Sequence, residues 1–374
     1  MNWLNNGQSV KVPVGNYRIE FKELEGFQTP SNIVVSVNKN ETTNINVEYL
    51  PISSGGGIVG VQDTGTRSAN GAGLRWVTTS GDNLVERNDL DTDFFDAHSS
   101  FQFTDEILGT NNNYFVKIPR AYWWRGLLPD TANPGQEKWT MLISSVPTTW
   151  NGKEFTAQSA AFKRDGNWMD QFYYGKYRGS AGYGSKPGAT HLGSVSWDNW
   201  VSGCNALGNG HHLASIQEYF EILGRMVIEK KTFQLFPEAV RGNQSLCKYR
   251  GVEDLAYGVT VYSEWMNGLR TNASNIITLW QEAGGNYVTT GKAIGSGNYI
   301  HSLQDGDLFD HLFLAKTVGA EATSFIPDHN YSVANRVCFM DFGPSGSHRG
   351  AFYAGLSRSS SNTHSAIGGR VARW

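Results

Sequence analysis

Only one stretch of this sequence, Pro51-Ile52-Ser53-Ser54-Gly55-Gly56-Gly57, reads as a flexible linker. Everything from Ile58 to Trp374 must therefore fold around shared cores rather than as a string of modules. With 374 residues, the chain divides unevenly into a small unit over 1–50, the linker over 51–57 and one large unit over 58–374. Aromatic residues make up 13% of it, beside 43 glycines and only 17% charged residues. That composition belongs to compact, aromatic-anchored, turn-rich structure, because disordered chains are poor in aromatics. No apolar run approaches the roughly 18–20 residues of a membrane helix, so membrane insertion is not expected. A net charge of −3 provides no basic footprint, so nucleic acid is not expected as a partner.

In the small unit, Tyr17–Phe21, Ile33–Val37 and Ile45–Tyr49 read as short strands, with Val10-Lys11-Val12 before Pro13. Their spacing of about a dozen residues, with turn formers between, predicts a small β-sandwich. In the large unit two helices stand out. Trp197, Trp200, Val201 and Cys204 recur at i, i+3, i+4 and i+7 after Ser196, with Gly208 placed to end the helix. Ser215 and Glu218 form a capping box, followed by Ile216, Tyr219, Phe220, Leu223, Met226 and Val227 on one face. The remainder reads as short strands and long Gly/Ser/Asn loops.

Several segments resemble known families. The wording from Val12 to Pro30 resembles the PEGA-type and related Ig-like repeats of surface proteins and tail fibres. The run from Cys204 to Tyr219 resembles the "LGxGxRLPTxxEW" segment of the formylglycine-generating-enzyme-like branch of the C-type lectin fold, with His212 for Arg and Ala214 for Pro. Tyr249–Leu255 with Ser263–Leu269 resembles its "YRGxEN…WEWxDG" segment, and Ile367–Ala372 its "GFRxA" strand. The resemblance implies an α+β fold: a C-type-lectin-like domain with two helices, short twisted antiparallel strands and many loops, preceded by the all-β Ig-like module.

Catalytic and metal chemistry finds little support in the residues. The catalytic members of that branch use a cysteine pair near the domain's end. Here only Cys338 lies there, in an apolar setting typical of a buried small residue. Cys204, Cys247 and Cys338 contain no CxxC, which argues against a disulfide framework or structural zinc. His211-His212 is read as a loop leading into the Ser215 cap, because adjacent residues cannot both face one metal. Asn88–Asp93 imitates the start of a calcium loop but has Phe94 and Ser100 where Gly and Glu are needed. It is expected to be a solvated acidic loop, with structural calcium as the one cofactor it could hold. Trp123, Trp124, Trp168, Trp197, Trp200 and Trp265 are expected as core anchors rather than sugar platforms. The expectation is a protein without enzymatic activity.

The informative stretch is 341–366. It contains no Lys, Gln, Glu, Met or Trp, residues that make up 61 of the 374 in the chain. At that frequency about four would fall in a stretch of this length. Those five residues are also unreachable when the adenines of AAC or AAT codons are randomised. The segment resembles the variable region of diversity-generating-retroelement targets, including phage tropism determinants. Phe352, Leu356, Ser360, Ser361, Ile367, Gly368 and Arg370 match scaffold positions of that pattern. The resemblance implies a variable region over about 329–372. Its ligand-binding side chains would be Asp341, Phe342, Ser345, Ser347, His348, Arg349, Tyr353, Gly355, Ser357, Arg358, His364 and Ala366, displayed on a C-terminal hairpin. Small polar residues with a few aromatics and arginines suit an adaptable recognition surface.

These readings converge on a receptor-binding protein at the tip of a phage tail fibre. Its partner would be a host cell-surface protein or glycan, and fibre trimers would supply avidity. Met1-Asn2-Trp3-Leu4 lacks the basic and apolar regions of a secretory signal, so a virion location reached by lysis is expected. A bacterial surface adhesin with the same fold is the main alternative, and a formylglycine-generating-type oxidase a weaker one.

Overall fold

The computed structural model describes residues 12–19, 27–28, 33–39, 50–51, 57–108, 112–237, 240, 243–256, 261–306, 309, 311–342 and 350–374. In the N-terminal unit, Gly15–Ile19 pairs antiparallel with Ile33–Val37, and Phe27–Gln28 with Leu50–Pro51. The expected strand Ile45–Tyr49 and the Val10-Lys11 part of the first one lie outside the described residues, as do 52–56 of the linker.

Beyond the linker three large sheets carry the described residues, beside the two-stranded pairs Thr149–Trp150 with Lys153–Glu154 and Lys163–Arg164 with Asn167–Trp168. A five-stranded antiparallel sheet runs in the order Tyr122–Pro129, Glu137–Ser144, Val59–Ser68, Gly71–Ser80, Asn83–Arg87. A second has the order His211–Leu213, Val371–Arg373, Gln171–Gly175, Asn113–Pro119, Thr104–Leu108. The third has nine strands and curls into a half-barrel. Its path is Tyr287–Ala293, Ile276–Trp280, Ser263–Thr271, Val337–Asp341, Ala354–Arg358, Ile326–Ser332, Asn298–Leu303, Ala315–Gly319, and Ile367–Gly369 adds in parallel to Ser263–Trp265. Among the described residues, four α-helices accompany them: α1 (Thr92–Ala97), α2 (Ser159–Phe162), α3 (Trp197–Ala206) and α4 (Ile216–Lys230).

The expected α+β C-type-lectin-like fold is overturned. Strands account for 45% and helices for 16%, around a curled half-barrel. Both helix readings hold locally. The Ser196 side chain accepts from Asn199 N to cap α3, and the Ser215–Glu218 capping box is complete at α4. The misreading lay in part of the Gly/Ser/Asn stretches, such as Val59–Ser68 and Tyr287–Ala293, which are strands. Bulges interrupt their alternation, as between Asp63 and Arg67, Met266 and Arg270, and Ile276 and Thr278. A bulge shifts the two-residue period, so an extended segment loses its sequence signature. The acidic stretch at 88–93 is likewise not all loop: Asp91 Oδ1 accepts from Phe94 N at 3.0 Å and caps α1.

Helix α4 is not a surface helix with one dry face; every residue from Ile216 to Ile228 is buried. Its polar residues are therefore paired. Gln217 Nε2 donates to Gly268 O at 3.0 Å. Arg225 donates to Glu221 Oε2 at 2.6 Å, Ser100 O at 2.7 Å and Pro119 O at 2.8 Å, and Trp123 Nε1 donates to Glu221 Oε2 at 3.1 Å. Burial raises the Glu221 carboxyl above its usual value, against the pull of Arg225. The helix thus joins the first two sheets through one buried ion pair. Replacing Arg225→Met should cost about 3–5 kcal/mol in urea unfolding, because Glu221 is left buried without its counter-charge. The double replacement Arg225→Met with Glu221→Leu should recover part of that loss.

At the start of the large unit, His98 is fully buried and its Nε2 donates to Gly57 O at 2.8 Å. Burial pushes its ring down to about 4 from 6.5, against the Gly57 bond. The folded chain therefore holds this ring neutral while the unfolded chain protonates it first. The stability it contributes is complete above pH 6.5 and is lost as pH falls toward 4, by about 3 kcal/mol. Thermal unfolding across pH 4–7 should show this loss, and His98→Asn should flatten the slope.

Candidate functional site

The strand Ala354–Arg358 lies inside the nine-stranded sheet, antiparallel to Val337–Asp341 on one side and parallel to Ile326–Ser332 on the other. It is not the terminal hairpin expected. After it, residues 359–366 form a loop and the chain re-enters the sheet at Ile367–Gly369. It then crosses at Arg370 into the second five-stranded sheet as Val371–Arg373.

Arg370 marks that crossing with a buried charge cluster. Glu264 Oε1 accepts from Arg178 Nε at 2.7 Å and from Arg370 Nη2 at 2.9 Å, and all three side chains are at most 1% exposed. Arg370 Nη1 also donates to Gly175 O at 2.8 Å and Lys176 O at 3.1 Å, and Arg178 Nη1 donates to Val261 O. Asp254 is fully buried nearby, 3.3 Å from His191 Nε2. Burial alone would raise its carboxyl, but His191, Arg370 and Arg178 outweigh that and hold it below its usual value. Arg178, Glu264, Asp254 and His191 were missed in the sequence. Their only signal was that Asp254 and Glu264 stand in the Tyr249–Leu255 and Ser263–Leu269 segments of the resemblance, which say nothing of a partner.

The segment 350–366 buries Ala351, Phe352, Ala354, Leu356 and Ala366, and its backbone is also gripped by groups that belong to other segments. Asp328 Oδ2 accepts from Phe352 N at 2.8 Å, Asn330 Nδ2 donates to Phe352 O at 3.2 Å, and Tyr219 OH donates to Ala351 O at 3.1 Å. Main-chain N–H groups of Val333, Asp198 and Ser194 donate to the carbonyls of Leu356, Ser360 and His364, at 2.9, 3.1 and 3.0 Å. Tyr262 N and Ser263 N both donate to Ala366 O. Within the loop, Asn362 Oδ1 accepts from Ser359 N at 2.9 Å and Ser359 Oγ at 2.8 Å.

The expected binding residues fall into three sets. Ser345, Ser347, His348 and Arg349 lie outside the described residues. Asp341, Phe342, Gly355 and Ala366 are buried, which corrects their assignment to the surface. Asp341 Oδ1 accepts from Ser263 Oγ at 3.1 Å, and Phe342 packs against Tyr219 beneath the Arg178 guanidinium. At Gly355 a Cβ would lie 2.5 Å from the Phe339 ring, so this glycine is required by packing. Tyr353, Ser357, Arg358 and His364 are partly exposed. Tyr353 sits beside Asp341 at one end of the strand, and Ser357 and Arg358 at the other end with the exposed residues Ser361, Asn362 and Thr363. A five-residue strand, roughly 13 Å along its axis, separates the two ends.

Other candidates resolve simply. Cys338 and Cys204 are buried, and burial pushes both thiols well up. His211-His212 is strand rather than loop, paired with Val371–Arg373. His212 Nε2 lies 2.7 Å from Glu218 Oε1, and its ring stacks on Trp374 at 3.7 Å. Trp123, Trp197, Trp200 and Trp265 are core anchors, whereas Trp124 is half-buried and Trp168 is 50% exposed. Among the described residues, no three His, Cys, Asp or Glu side chains group as metal ligands.

No protein-family model and no curated protein matches the chain. Its function is therefore argued from the geometry.

Backbone anchoring separates two classes of substitution. Replacing Ser357, Arg358 and His364 by Ala, singly or together, should change stability by less than about 0.5 kcal/mol each. Phe342→Ala should cost about 3–5 kcal/mol, and Gly355→Ser about 1–3 kcal/mol through the clash with Phe339. Urea unfolding of these variants measures the contrast.

Proposed function

We propose that this chain is a receptor-binding protein, the attachment end of a phage tail fibre, with a ligand-contacting surface diversified by a retroelement. The observation that carries the reading is the backbone grip on 350–366 by Asp328, Asn330, Tyr219, Ser194 and Asp198. A surface that changes partner by mutation needs side chains that the fold does not use. The partly exposed Ser357 and Arg358 meet that condition, His364 adds a single hydrogen bond within its own loop, from Ala366 N to Nδ1 at 3.2 Å, and the composition of 341–366 is what adenine randomisation of AAC and AAT codons leaves. The contacting set is narrower than the twelve residues expected from the resemblance.

In this reading the partner is a protein or glycan of the host surface, no residue has a catalytic role, and fibre trimers raise a weak single-site affinity. No helix among the described residues is long and apolar enough to cross a membrane. A bacterial surface adhesin would use the same surface and differs in the genes around it.

Sequencing the locus across a population of the source strain tests the proposal. Substitutions confined to 341–366, at adenines of a nearby template repeat, are the expected result. Variation scattered along the chain, or its absence from 341–366, overturns diversification. Combined Ser357, Arg358 and His364 variants should also change host-cell attachment without changing thermal stability.

A further inference from the structure

Charge is spread unevenly over the molecule. A cleft of about 880 Å³ lined by Asp63, Trp139 and Phe325 lies apart from 341–366, and its ion pairs, Asp63 with Arg67 and Asp305 with Lys316, favour no ligand charge. At the Arg358 end of the strand Ala354–Arg358 the balance is different. Segments 265–281, 333–340 and 342–374 contain no Asp or Glu, 58 positions in all. At the chain's average of 34 acidic residues in 374, about five would fall there. Adenine randomisation does not impose this lack, since it reaches Asp through GAC and GAT, and two of the three segments lie outside 341–366.

Two arginines stand where those segments meet. Arg270 pairs with Val337 in the half-barrel, and Val337 with Arg358. Directly paired residues share a face, so both arginines flank Val337 on one side of the sheet, their Cα atoms about 10 Å apart. Both are partly exposed, and neither forms an ion pair among the described residues. Against their two charges stands one bordering carboxylate, the exposed Asp198, whose N–H donates to Ser360 O and whose side chain pairs with neither. One positive charge is left in excess. The Arg270 guanidinium stacks on the Trp197 ring at 4.4 Å and on the Tyr287 ring at 4.0 Å. Stacking fixes the plane of the fork, so little side-chain order is lost when it meets an anion. Around Arg358 the side chains are small and polar: Ser357 and Ser359 are partly exposed, and Ser361, Asn362 and Thr363 exposed. They suit sugar hydroxyls and lack the large apolar anchors on which protein interfaces depend.

We propose that Arg270 and Arg358 together hold the carboxylate of an acidic sugar on the receptor, with the 359–363 loop meeting the sugar hydroxyls. A planar carboxylate matches an arginine fork through two parallel bonds. The inference rests on the reading of 341–366 as the receptor-binding surface and names its ligand class. Arg270 lies outside the diversified stretch, so it persists when Arg358 changes and biases every variant toward anionic receptors.

The test is calorimetric titration of the whole chain with sialyllactose, polygalacturonate and alginate, with their carboxyl-reduced forms, and with poly-glutamate as an acidic polypeptide. At least one acidic sugar should bind, and its reduced form and poly-glutamate should bind about tenfold more weakly or worse. Arg270→Met, which keeps an apolar side chain on the two rings, and Arg358→Ser should each weaken the sugar about tenfold or more. Lys248→Ala, at an exposed lysine elsewhere, should leave it unchanged. Should Arg270→Met unfold early, Arg358→Ser carries the test, because the fold does not use that side chain. Failure of every acidic sugar to bind overturns the proposal, as does equal binding of the reduced sugar or full binding by Arg358→Ser. Tighter binding of poly-glutamate than of any sugar also overturns it and assigns the arginine pair to a protein receptor. The receptor-binding reading fails separately, if the combined Ser357, Arg358 and His364 variant attaches to host cells as the wild type does.

Discussion

The structure turns on one carboxylate. Glu264 sits in the Ser263–Thr271 strand of the half-barrel and accepts from Arg178 and from Arg370. Arg370 in turn reaches carbonyls that follow the Gln171–Gly175 strand of the neighbouring sheet. Neither sheet could bury this interface with charges unpaired, since a lone buried ion costs several kcal/mol. Pairing two guanidinium groups with Glu264, and adding Asp254 beside them, removes that penalty. It also fixes where the final strand crosses from one sheet to the other. Register specification of this kind is the best-attested use of buried charges.

The proposed binding surface depends on this crossing. Ile367–Gly369 and Val371–Arg373 pin the far end of the 359–366 loop on both sides of Arg370. The near end is pinned by the strand Ala354–Arg358, which has neighbours on each side. Between these anchors, main-chain contacts from Asp198 and Ser194 are indifferent to side-chain identity, while Asn362 Oδ1 and His364 Nδ1 add side-chain bonds within the loop. A loop held in this way can present different side chains with little ordering cost on binding.

What the sequence revealed, and what it hid, follows from the range of each signal. The caps at Ser196 and Ser215 are local, three residues wide, and were legible. The half-barrel was not, because its strands are joined by long-range pairing such as Ser263 with Asp341 and with Ile367. Bulges further erase their alternation. At the site, composition singled out 341–366, but composition carries no information on burial. Phe342 and Asp341 look like contact residues by type and are core by position. The cleft lined by Asp63, Trp139 and Phe325 was invisible for a related reason, since its walls come from segments up to 262 positions apart in sequence.

The interior position of the strand Ala354–Arg358 also limits what kind of change the chain can accept. Pleated side chains alternate between faces, so adding or deleting a single residue before Arg358 would rotate every later position to the opposite face. Leu356 would leave the buried position it now holds, with both neighbouring strands paired out of step. Antiparallel edge strands can slip or lengthen; a strand with a partner on each side cannot. Novelty at this surface is therefore confined to exchanging letters at constant length. The repertoire open to such a protein is wide in chemistry and narrow in shape.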